Sequence, residues 1–190
     1  MYNSYARLPG IPYKIMEYLA NSPDADDLWL MLKYNDYYAL DKVPLSFGEK
    51  MSLVWRTGPQ EKYGVFLTPL VEDAISESKS IMKLYNYYIH PKELYSGVVV
   101  YGFDFLYGGQ MALVEKDGLP VSRADLFIHT VLKVLNGVEV DGIGKLTFLD
   151  DLSRYSLARS SIGNSKTFAV EQLYLATLVG DTGVEVSCGD

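Results

Sequence analysis

His90, His129 and Cys188 are the residues of this 190-residue chain whose types best suit a metal ligand or a nucleophile. Structural and catalytic zinc sites recruit His and Cys at short, regular spacings. Neither histidine has such a neighbour: His90 precedes Pro91 in a turn, and His129 falls inside a helical pattern. Cys188, the one cysteine, reads as a spectator thiol in a tail, and a single cysteine builds no disulfide framework. Ser76-Glu77-Ser78-Lys79 satisfies Ser-x-x-Lys, which pairs a nucleophile with its base on one helical turn, but the companion motifs are missing. Asp150-Asp151 are adjacent carboxylates, and neighbours on an extended chain point apart. Ser122, Asp125 and His129 share one helix, where they read as a cap and an i,i+4 pair rather than a triad.

Gly142-Ile143-Gly144-Lys145-Leu146-Thr147 glances at a phosphate loop. Such a loop needs Lys and Ser/Thr opening a helix, so that backbone amides point at phosphate. Leu146 separates Lys145 from Thr147 and a strand pattern follows, so a turn entering a strand is the stronger reading. The sequence therefore predicts no catalytic residues, no metal site and no cofactor.

The composition bounds the rest. A chain 48% hydrophobic and 22% charged is expected to fold as one domain or one domain with an appendage. Lys+Arg 17 against Asp+Glu 24 gives a net charge of −7, the wrong sign for gripping nucleic acid over a broad surface. Met1–Gly10 has no apolar core of a signal peptide, and the apolar run Gly97–Val114 is broken by Asp104, Gln110 and several glycines. Assembly in a cytoplasm is the expectation. Tyrosine is the unusual residue, 16 against 7 phenylalanines. Its amphipathic ring favours both strands and surfaces that meet other surfaces.

The elements that must position these residues fall into two parts. Residues 1–60 read as a small helical element. Pro12 opens a helix with Ile15, Met16 and Leu19 on one face, and Asp24, Asp26 and Asp27 precede a nearly all-apolar segment around Trp29. Ser46 and Glu49 form a capping box. Residues 61–180 change to a period of two, with strands at Tyr63–Leu70, Ile81–Ile89 and Ser96–Tyr107, a helix at 122–136, and strands at Lys145–Leu149 and Phe168–Val179. The predicted class is α+β, a mostly antiparallel sheet with a long β-hairpin and one packed helix (122–136), followed by a tail at 181–190. One helix does not cover such a sheet, so its aromatic surface is expected to meet another subunit. The interface candidates are Trp29, Tyr85, Tyr87, Tyr88, Tyr95, Tyr101, Phe103, Phe105 and Tyr107. Arg154 and Arg159 join them from the polar loop 150–166, whose length suggests a partner contact.

Ile11-Pro12-Tyr13, Leu19-Ala20-Asn21, Ala25-Asp26-Asp27-Leu28-Trp29, Leu32-Lys33-Tyr34 and Leu45-Ser46-Phe47-Gly48-Glu49-Lys50-Met51 are arranged much as in the N-terminal part of small virion proteins of tailed bacteriophages. The hairpin, helix and two strands after Ile81 resemble neck and tail-terminator proteins. The resemblance implies a structural virion protein, a homo-oligomeric ring at the head–tail joint with a copy number that is a multiple of six. It would be assembled in the host cytoplasm against other neck, tail or portal proteins, with DNA passing through an acidic lumen without sequence-specific binding and no membrane involved. Within the same class a tail-tube or other tail protein is the alternative. Outside it stand a small intracellular enzyme built on His129, Asp104 and Arg123, and a carbohydrate- or peptide-binding module that displays the tyrosines.

Overall fold

A computed structural model describes residues 8–70, 79–92, 96–149, 160–161 and 167–180. Three helices come first: α1 (Ile11–Asn21), α2 (Asp26–Lys33) and α3 (Phe47–Ser52). Pro12 occupies the first turn of α1, where a missing N–H costs nothing. Asp26 and Asp27 sit at the positive end of α2 and Lys33 at its negative end. The capping box is complete: Ser46 accepts from the Glu49 N–H, and the Glu49 carboxylate accepts from the Ser46 N–H. That backbone bond, with Lys33 second, holds the Glu49 carboxyl well below its usual range, at about 2.

The strands are β1 (Val65–Phe66), β2 (Ile81–Pro91), β3 (Ser96–Gly108), β4 (Leu113–Lys116), β5 (Leu119–Ser122), β6 (Thr147–Phe148), β7 (Ser160–Ser161) and β8 (Thr167–Gly180), with helix α4 (Arg123–Leu135) after β5. The main sheet is six-stranded, in the order β1-β2-β3-β8-β6, with β7 also paired to β8. All its pairings are antiparallel except β1 with β2. The α+β class, the long hairpin and the helix capped by Ser122 are as the sequence predicts. A second sheet, the hairpin β4–β5, is an addition. Its turn, Asp117-Gly118, has positive φ at both residues (54° and 77°), as a tight two-residue hairpin requires.

A single core crosses the boundary between the helical element and the sheet. It joins Ile15 and Leu19 of α1, Leu28 and Trp29 of α2, and Phe127 and Val131 of α4 to Leu84, Tyr101, Phe103, Phe105 and Leu173 of the sheet. The sheet is thus covered by the N-terminal helices together with α4, rather than by α4 alone. Buried cations lock the joints. Arg123, fully buried at the start of α4, donates to the carbonyls of Met31 (2.9 Å), Tyr34 (3.2 Å) and Asp36 (3.0 Å) and to the Ser80 hydroxyl (3.1 Å). It supplies donors to the end of α2, where carbonyls lack intrahelical partners and the dipole favours a positive charge. Lys50 does the same for α1, binding the Ala20 carbonyl (3.0 Å) and Asp26 (2.6 Å). Lys79 binds the carbonyls of Glu61 (2.6 Å) and Tyr63 (2.8 Å).

Candidate functional site

Residues directly opposite one another in an antiparallel sheet share a face. The helices pack on the face of Leu84, Phe103 and Leu173, which lie in register. The opposite face carries two small apolar clusters, Phe66 with Ile81 and Leu106, and Val100 with Tyr174 and Ala176. A polar strip separates them. The Tyr85 hydroxyl donates to the Asp104 carboxylate (3.1 and 3.2 Å to its two oxygens), and Gln172 Nε2 donates to the same group (3.1 Å). The Lys83 ammonium stands 4.0 Å away. Gly102 makes this arrangement possible, because a Cβ there would lie 3.0 Å from Tyr85 Cζ. Burial first, and the Asp104 charge second, raise the Tyr85 phenol above its ordinary range and push Tyr174 up to about 12.

Towards the hairpin end the sheet becomes bare. β1 pairs only with Met82 and Lys83, so among the described residues β2 runs on to Pro91 as an edge strand. The register with β3 slips between Asn86 and Tyr88, leaving Tyr87 as the extra residue of a bulge. The Tyr87 ring reaches Tyr174 (centroids 4.6 Å apart), while Tyr88 stacks on His90, its hydroxyl 3.1 Å from Nδ1. Three neighbouring large side chains remain open: Tyr87 is 50%, Tyr88 51% and Ile89 41% exposed. Unpaired edges beside exposed aromatic surface are adhesive elements.

Tyr85, Tyr87 and Tyr88 are therefore brought together at one end of one face. Trp29, Tyr101, Phe103, Phe105 and Tyr107 are not; they are buried in the core, which corrects their expected place on an interface. The physical reason is the extra helical cover. Trp29 lies under α1 and donates its indole N–H to the Leu19 carbonyl (3.2 Å), and Phe105 stacks on Phe127 of α4 (4.8 Å). Tyr95, Arg154, Arg159, Ser76, the pair Asp150-Asp151 and Cys188 lie outside the described residues. The enzyme rival's residues are scattered: His129 is exposed on α4, Arg123 is buried under the end of α2, and Asp104 is on the sheet face away from the helices. The turn resembling a phosphate loop is a tight connection, with positive φ at Asp141, Gly142 and Gly144. At Gly144 a Cβ would meet the Leu178 carbonyl at 2.7 Å.

Sequence reasoning missed Gln172 and Tyr174, which complete the strip, and Leu178, which lines the hairpin end. The register of β8 against β3 is what reveals them, and periodicity within one strand carries no cross-strand register. Among the described residues no group of three or more His, Cys, Asp or Glu is placed to hold a metal, and no helix is long and apolar enough to cross a membrane. Compared with protein-family models, curated proteins and solved structures, the chain matches none of them.

Proposed function

We propose that this chain is a structural subunit of a tailed-phage virion that works as a homo-oligomeric ring at the head–tail joint, as a neck, connector or tail-terminator protein. The observation that carries the assembly half of this reading is the bare hairpin end. Tyr87, Tyr88 and Ile89 stand about half exposed on an edge strand, next to a face that no described helix packs on. An apolar and aromatic edge of this kind is stabilised by burial against another chain, and heterologous contacts that close by rotation form rings. The virion setting comes from the sequence resemblance. An acidic subunit, at −7, suits a channel that DNA must traverse without sticking.

Mass measurement on purified particles or neck complexes tests the reading directly. A copy number that is a multiple of six is expected, and a single copy per particle refutes it. The isolated protein is also expected to leave duplex DNA unretarded at physiological salt, since a net charge of −7 opposes the counterion release that grips phosphate.

A further inference from the structure

A cleft of about 370 Å³ opens at the hairpin end of the same sheet face. Val98, Ala176 and Leu178 line it, and their register (Val98 opposite Leu178, Val100 opposite Ala176) puts them on the face away from the helices. Leu178 is 59% exposed. Thr147 of β6 lines one side, and Lys92 and Lys145 supply two ammonium groups. Among the described residues no carboxylate lines the cleft and neither lysine forms an ion pair. On a chain carrying 24 acidic side chains and a net charge of −7, an apolar floor flanked by two lysines that no described carboxylate pairs with is locally of the opposite sign. Several other lysines of this fold do meet carboxylates, as Lys116 meets Asp27 and Lys133 meets Asp24.

We infer that this cleft is a socket for an acidic, aliphatic segment of a second copy of this chain, an inference that rests on the ring assembly proposed above. Charge complementarity selects the occupant. A second copy is itself an acidic partner, its carboxylates meet Lys92 and Lys145, and its aliphatic side chains cover Val98, Ala176 and Leu178. Position supports it as well, because Tyr88, Val100 and Ala176 stand in one cross-strand row, so the cleft is continuous with the exposed tyrosines of β2. The volume lies at the small end of the about 300–1,000 Å³ found for ligand sites, which fits a short segment and not a folded domain. A segment gripped by rim charges over an apolar floor also fixes the register between neighbours, which a closed ring requires.

The 190-residue chain and its Lys92→Glu/Lys145→Glu variant are compared by sedimentation and in binding a capped Val-Glu-Val-Asp-Val peptide. Both lysines are exposed, so the variant is expected to keep the wild-type thermal melt. Peptide binding is expected to weaken roughly tenfold at low salt, with the difference shrinking as salt screens the pairs, and self-association is expected to be lost. Peptide that fails to bind wild type, or that binds equally well with lysine in place of its acids, overturns the inference. Wild-type oligomers that survive the charge reversal also overturn it while leaving the ring reading intact. If the peptide binds but particles hold a single copy, the ring reading fails, and the second copy falls as the occupant.

Discussion

Replacing Arg123 with Met separates an architectural cation from a functional one. The guanidinium is fully buried, and its donors serve three backbone carbonyls and one hydroxyl at 2.9–3.2 Å. Hydrogen bonds from a charged donor are worth about 1.5–3 kcal/mol each, so the gross loss is large. It is offset by the several kcal/mol that desolvating a buried ion costs the wild type, which the variant no longer bears. What remains is the cost of carbonyls left without donors beneath the end of α2. At about 1–3 kcal/mol for each buried acceptor left unsatisfied, and with that offset, the net is about 3–5 kcal/mol. For a chain of this size each kcal/mol lowers Tm by about 2–4 °C, so a fall of roughly 6–20 °C is expected. Urea titration followed by far-UV circular dichroism gives the free energy, with thermal melts in parallel. Arg123→Lys keeps the charge but loses the fork geometry and should fall between the two. A Met variant within about 1 kcal/mol of wild type would show that the carbonyl cage contributes little, and that Arg123 needs another explanation.

Tyr88→Ser should change monomer stability by no more than about 0.5 kcal/mol, because the side chain is half exposed, yet weaken assembly. A variant that unfolds in urea titration, or that still joins heads to tails by electron microscopy, contradicts this. Tyr101→Phe should be neutral or stabilising by up to about 1 kcal/mol, since the hydroxyl is buried without a hydrogen-bond partner among the described residues. A loss of more than about 1 kcal/mol would reveal a partner for that hydroxyl. Glu49 has a folded-state pKa lowered from 4.5 to about 2, so its contribution is complete above pH 4.5 and lost as pH falls towards 2. The gap in urea midpoint between wild type and Glu49→Gln should therefore close over that window; a gap unchanged at pH 2 would mean that the carboxylate is not the cause.

The strength of local signals decided what the sequence revealed. The helix after Ser122 and the capping box at Ser46 rest on contacts within one turn, and both are present as read. The strands β2 and β3 were legible from alternation, down to Asp104 and Gly102 falling opposite Phe103 and Phe105. Alternation assigns two faces but does not say which one is buried. Tyr101, Phe103 and Phe105 read as surplus surface when helix 122–136 alone is reckoned as the sheet's cover, whereas the helices of residues 11–52 also lie over that face. The hairpin β4–β5 was missed although Asp117-Gly118 is a strong turn signal, because its four-residue strands are too short to show a period. The bulge at Tyr87 and the pairing of β8 are set by cross-strand register, a long-range property.

The cage around Arg123 also has a consequence for synthesis on the ribosome. The carbonyls of Met31, Tyr34 and Asp36 are made long before the side chain that satisfies them. At about 5–20 residues per second, α2 waits roughly 4–18 s for residue 123 to be added. During that interval the first helices lack both their buried cation and the sheet face they cover, so the leading segment has no complete core of its own. Translation therefore delivers this fold late, in one cooperative step once the later strands and α4 have emerged, rather than helix by helix from the N-terminus.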